Sequence, residues 1–177
     1  MTKRGFTIVE ILIVTAIAGL MVSLVVTNFS RSRNDLSAAA PNVVGDIRRA
    51  QNLALAGSQH NGAYRCGYGV SFESDGYVIF AGPAADGTCG AADDRVYGPG
   101  DEVVERIAVR ATLEFQTTGD IYFVPPLPFT YLNGDRQDDT PPLMISLVIK
   151  GATCPSNECR TITIDRAGRI TTIPDAQ

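Results

Sequence analysis

From Ile11 to Val26 the chain carries no charged residue, and Thr15 and Ser23 are the only polar side chains in that stretch. A transmembrane helix needs roughly 20 mostly apolar residues, and Phe6 to Thr27 supplies that span if Glu10 is set aside. A secretory signal peptide would pair a basic start with an apolar run of roughly 7–15 residues and a small-residue cleavage site. Here the basic start is only Lys3-Arg4, the run is longer, and Asn28-Phe29-Ser30-Arg31-Ser32-Arg33 follows it with no Ala-x-Ala. The run is therefore expected to be retained as a membrane span. The 177 residues are enough for one domain with a core of its own.

Basic residues flank the run on both sides, Lys3 and Arg4 before it and Arg31 and Arg33 after it, so the positive-inside rule does not orient it. The cysteines do. Cys66, Cys89, Cys154 and Cys159 all lie beyond the run, and an even number in such a chain suits an oxidising compartment outside the cytoplasm. Four cysteines allow three pairings. Cys154 with Cys159, bracketing the turn Pro155-Ser156-Asn157, and Cys66 with Cys89 are the pairing expected here. A zinc site is the rival, but there is no Cys-x-x-Cys spacing and the single histidine, His60, is not close to a cysteine pair in sequence. No metal or other cofactor is expected.

After the apolar run, Ser37-Ala38-Ala39-Ala40 suits a helix, and Val43, Ile47, Ala50 and Ala54 recur near the helical period. Pro41 predicts a kink or short break around Ala38 to Pro41, and Gly57 with the polar residues after it ends the helix. From Tyr64 the pattern changes to strands. Tyr68–Phe72 and Tyr77–Phe80 flank Glu73-Ser74-Asp75-Gly76 as a hairpin, and further strands are expected at Val103–Val109, Ala111–Phe115, Ile121–Val124, Leu143–Lys150, Arg160–Asp165 and Arg169–Ile173, closing one antiparallel sheet. Residues 81–101 read as a loop held by Cys89, and the five prolines of residues 125–142 predict a long surface excursion rather than a central strand.

The first ten residues place Lys3-Arg4-Gly5 before Phe6-Thr7-Ile8-Val9-Glu10, so a basic leader, a glycine, an aromatic and one acid enter an apolar helix. This resembles the type IV prepilin signal. The resemblance implies cleavage between Gly5 and Phe6 by a prepilin peptidase, methylation of the new amino terminus, and pairing of Glu10 with the Phe6 amino group of a neighbouring subunit. A carboxylate flanked by Val9, Ile11, Leu12 and Ile13 needs such a partner more than it needs the helix dipole, which offers only roughly 0.3–1 kcal/mol. The segments Arg48–Ala56 and Ile162–Ile170 resemble the minor pseudopilin H group of type II secretion and the related FimT-like minor pilins, strongly in the N-terminal helix and in outline in the head. The expected fold is α+β, a pilin-like long N-terminal helix, half membrane-spanning and half amphipathic, packed on an antiparallel β-sheet head. Its expected parts are a leader (1–5), a membrane or filament-core helix (6–29), its amphipathic continuation (30–58) and the head (59–177). The resemblance further implies a single-pass protein of a bacterial inner membrane with its head in the periplasm, later incorporated into a type IV pilus or type II secretion pseudopilus, with other pilin or pseudopilin subunits and an inner-membrane assembly platform as partners.

FimT-like members bring a second reading, DNA binding during uptake, with Arg160, Arg166 and Arg169 as its candidates. Gly168-Arg169 is present, but Thr171 stands where a second arginine of that pattern is expected. The formal charge of −4 becomes −6 once Lys3 and Arg4 leave with the leader, the opposite of a nucleic-acid footprint. Solvated arginines on a hairpin are the simpler account. Catalysis has little to stand on with one histidine in a loop, so no enzyme is expected. Asn133, Asp135, Gln137 and Asp139 alternate as calcium ligands do, yet lack the glycine and terminal glutamate of an EF-hand loop, and a solvated acidic turn is the better account. Val124 to Tyr131 is an apolar stretch suited to a subunit contact.

Overall fold

A computed structural model describes residues 7–85, 89, 95–125, 129–135 and 141–174, with the side chains of residues 25–31 and 174 excepted. Gly5 and Phe6 lie outside the described residues, as do Pro126, Pro128, Gln137 and Asp139.

Helix α1 runs from Ile8 to Leu55. Thr7 caps it in extended conformation, its Oγ1 accepting the Glu10 N–H at 3.3 Å, and Glu10 places a negative charge in the first turn, where the helix dipole favours it. At the other end Gly57 takes a positive φ of 56°, and the N–H groups of Gly57 and Ser58 donate to the carbonyls of Ala54 and Leu53, a Schellman closure that satisfies the last turn. The break expected at Ala38 to Pro41 does not occur. Pro41 lies inside one continuous helix on its exposed side, while Leu36, Ala40, Val43, Val44, Ile47, Ala50 and Ala54 form the buried stripe. A proline costs a helix one hydrogen bond, and packing of that stripe on both sides of Pro41 outweighs the loss.

Among the described residues, no helix is long and apolar enough to cross a membrane. The membrane half of the expected fold is corrected accordingly, and with it the single-pass inner-membrane location and the periplasmic placement that depended on it. The apolar stretch of the helix carries Glu10 in its first turn.

The strands that follow are β1 (Gln59–His60), β2 (Ala63–Tyr64), β3 (Tyr68–Glu73), β4 (Gly76–Ala81), β5 (Glu102–Ala108), β6 (Leu113–Phe115), β7 (Gly119–Val124), β8 (Phe129–Leu132), β9 (Leu143–Ile149), β10 (Cys159–Ile164) and β11 (Ile170–Pro174). They form three antiparallel sheets rather than the single sheet expected. The sheets have the orders β1-β2, β5-β4-β3-β7-β8 and β11-β10-β9-β6. The proline-rich excursion contains an unexpected strand, β8, which among the described strands pairs only with β7 and so occupies the sheet edge where prolines nearby are tolerated.

The second half of α1 packs on strands of both large sheets, above all β3, β7, β9 and β10. The shared core joins Ile47 and Val43 to Val70, Phe72, Ile121, Phe123, Ile145, Leu147, Ile162 and Ile164. Phe115 packs edge-on against Phe72 and Tyr77, which are tilted toward each other, with centroids 5.3–6.1 Å apart. On the far face of the five-stranded sheet, Phe80 stacks on Tyr122 at 5.8 Å. Gly69 makes this packing possible, because a Cβ there would come within 2.3 Å of the Phe80 ring.

Tyr77 also pins the helix to the sheet, its phenol donating to Asp46 Oδ2 at 2.5 Å. Burial, and then the hydrogen bond to Asp46, push its ionisation far above the ordinary tyrosine range, so it remains a donor at any working pH. Tyr77→Phe is expected to lower unfolding free energy by about 2 kcal/mol, the scale of a hydrogen bond to a charged group. Denaturant unfolding of the variant beside Asp46→Asn checks this, and a neutral Tyr77→Phe would remove the bond from the account.

Candidate functional site

The two halves of α1 differ in what covers them. Beyond Leu36 one stripe is buried in the head. In the first half every described apolar side chain is exposed, with Ile8 at 80%, Leu12 at 63% and Leu20 at 68% accessible. The Thr15 hydroxyl folds back onto the carbonyls of Ile11 and Leu12, both at 3.0 Å, so it adds no polar feature to that surface. A helix apolar all round is stable in water only when other chains or an apolar phase cover it. Glu10 is the single acid on this surface, one turn from the start of the helix, and its side chain has no ion-pair partner among the described residues.

The cysteines pair as Cys66–Cys89 and Cys154–Cys159, with Cα separations of 5.2 and 5.6 Å. The first ties the approach to β3 to the loop after β4. Next to it Arg65 is buried, donating to the His60 carbonyl and to Glu102 Oε1 at 2.5 Å, while Asn61 donates to Glu102 Oε2 at 2.5 Å. These bonds, from Arg65 first and then Asn61, hold the Glu102 carboxyl below its usual range. His60 lies 3.7 Å from the same carboxylate. The cluster fastens the Asn61-Gly62 turn to β5, a bracing role for the histidine.

The three candidate arginines do not form one patch. Arg166 and Arg169 sit at the β10–β11 turn, where Gly168 has a φ of 76°. Arg169 is committed there, its Nε donating to Asp165 Oδ2 at 3.0 Å, while the backbone N–H groups of Ala167 and Arg169 both donate to Oδ1. Burial alone would raise the Asp165 pKa, but the bonds from Arg169 and Ala167 outweigh it and hold the carboxyl low. Arg160 stands at the opposite end of β10, about 13 Å along the strand at 3.3 Å per residue. There it shares a groove of about 610 Å³ with Arg48 of the helix, together with Ser37, Ala40, Pro41, Val44, Gly45 and Thr172. In the sequence Arg48 stands out only as the first residue of the Arg48–Ala56 segment. The parity of β10 signals the arrangement, since Arg160 shares a face with Ile162 and Ile164, which are buried against the helix. Thr171 is exposed and donates to the Thr163 carbonyl at 3.5 Å.

Of the calcium candidates, Asn133 and Asp135 are described. Asn133 Oδ1 accepts the Asp120 N–H at 2.8 Å, so that oxygen ties the end of β8 to the start of β7, and among the described residues no group of three His, Cys, Asp or Glu side chains is placed to hold a metal. Compared with protein-family models, curated proteins and solved structures, the chain matches none of them.

Proposed function

We propose that the chain is a minor pilin or pseudopilin, a subunit cut between Gly5 and Phe6 by a prepilin peptidase and then assembled into a type IV pilus or type II secretion pseudopilus. The observation that carries this reading is the asymmetry of α1. One half is an apolar surface with none of the other described residues upon it, and the other half is cemented into a disulfide-braced head. Packed side by side, such helices bury one another, and Glu10 is then the one charge that must find a partner. The new amino terminus at Phe6 of a neighbouring subunit supplies it. Other pilin or pseudopilin subunits and the assembly platform are the partners in this reading, and no turnover chemistry is involved. DNA uptake is the less favoured function, because Arg169 is already paired with Asp165 and the chain is acidic overall.

Mass analysis of the amino terminus in the native host tests the proposal. A chain beginning at methylated Phe6 is the expected result. An uncut Met1 would mean an anchored or free binding protein that never polymerises.

A further inference from the structure

The groove between α1 and β11 lies beside a strand edge that no described strand pairs with. The ladder fixes which backbone groups face outward. Ile149 N–H donates to the Glu158 carbonyl on one side of the β10 segment, and Asp165 N–H donates to the Arg169 carbonyl on the other. With alternation along antiparallel strands, even-numbered β10 residues bond to β9 and odd-numbered ones to β11. Thr171 and Ile173 of β11 therefore bond inward, and Ile170 and Thr172 direct their N–H and C=O groups to the open edge. Pro174, opposite Arg160, contributes no donor and ends the usable edge.

Thr172 is opposite Ile162, whose side chain is buried on the helix side, so the Thr172 side chain lies on that side too and lines the groove. A strand added beside β11, about 4.8 Å further out, would project alternate side chains over Pro41, Gly45 and Arg48 of the helix. Small residues leave room there. The guanidiniums of Arg48 and Arg160 line the same space, and among the described residues neither pairs with a carboxylate. Among the described residues, the only side-chain bond of Arg160 is to the carbonyl of its neighbour Cys159, at 2.7 Å.

We infer that the β11 edge is a docking site for a short extended acidic segment of a partner protein, which adds a strand at Ile170 and Thr172 and places carboxylates against Arg48 and Arg160. The inference rests on the head alone and does not depend on filament assembly.

The test uses the full chain, ¹⁵N-labelled, titrated with the peptide acetyl-Thr-Glu-Val-Glu-Val-Thr-amide, whose two glutamates face one side when extended. The expected result is shifted and exchange-slowed amides at Ile170 and Thr172, binding that weakens with salt, and at least about tenfold weaker binding in Arg48→Ala/Arg160→Ala. Thr172→Pro removes one outward donor without touching the bonds of Thr171 and Ile173, and it is expected to weaken binding while the thermal midpoint is kept. Equal binding of the peptide with lysine in place of glutamate would overturn the inference. So would shifts confined to other strands, an oligothymidylate that occupies these residues in place of the peptide, or concentration-dependent dimerisation through this edge, which would assign it to a second copy of the chain.

Discussion

Glu10→Ala is expected to leave the unfolding of the head unchanged and to reduce incorporation into filaments by at least tenfold. The two halves of that statement rest on separate observations. Among the described residues nothing leans on the Glu10 side chain: its backbone N–H is capped by Thr7, and the head's core begins at Leu36, more than seven turns further along the helix. Removing the carboxylate changes the local dipole energy by no more than roughly 1 kcal/mol. In an assembly the position is different. A charge enclosed among apolar helices persists only when paired, and breaking one partner of such a pair costs roughly 3–5 kcal/mol because the other is left buried and alone. Here the abandoned group would be the Phe6 ammonium of the next subunit. At 1.4 kcal/mol per factor of ten, that penalty exceeds the tenfold loss proposed. Quantifying the subunit in sheared filaments against its total in cells, for Glu10→Ala and Glu10→Gln, makes the measurement. Incorporation of both variants at the normal level would remove Glu10 from assembly and leave the apolar surface of Ile8–Leu24 needing another cover.

Much of the head was legible because its strands are short, bounded by turn residues and rich in β-branched and aromatic side chains. The hairpin of β3 and β4 follows from Glu73-Ser74-Asp75-Gly76 between Phe72 and Tyr77, and the pairing Phe72 with Tyr77 is the register observed. Arg160–Asp165 and Arg169–Ile173 likewise meet across Gly168. What was not legible depended on long-range partners. Pro41 is a helix breaker by local rule, and only the burial of Ala40 and Val44 on two sheets shows why the helix continues. Phe129–Leu132 hides among prolines because an edge strand needs pairing on one side only. Division into two large sheets cannot be read from the strands, since each alternates alike whichever sheet it joins. Periodicity showed an apolar run at the N-terminus without showing what covers it, and the described helix does not meet the length and apolarity of a membrane span. At the arginines, sequence proximity misled: Arg160 and Arg169 are near in number and at opposite ends of a strand, while Arg48 reaches the same groove as Arg160 from another element.

The Cys66→Ser/Cys89→Ser double variant is expected to lose about 3 kcal/mol of unfolding free energy, and Cys154→Ser/Cys159→Ser about 2. Both figures follow from the chain entropy released when a loop is opened, which grows with the logarithm of its length. The sequence separations are 23 and 5 residues, so the first bridge constrains the larger unfolded ensemble. Local structure widens the gap. Cys66 lies between buried Arg65 and Gly67, and the N–H of Cys66 donates to the Pro83 carbonyl, so releasing the bridge loosens the segment on which Arg65, Asn61 and Glu102 are assembled. Cys154 and Cys159 close a turn whose backbone is already held by the Cys159 N–H to Ser156 carbonyl bond and by the β9–β10 ladder. Denaturant unfolding of the two variants under identical conditions ranks them. A larger loss at Cys154–Cys159 would mean that native-state contacts at the β9–β10 turn, and not loop entropy, govern what the bridges contribute.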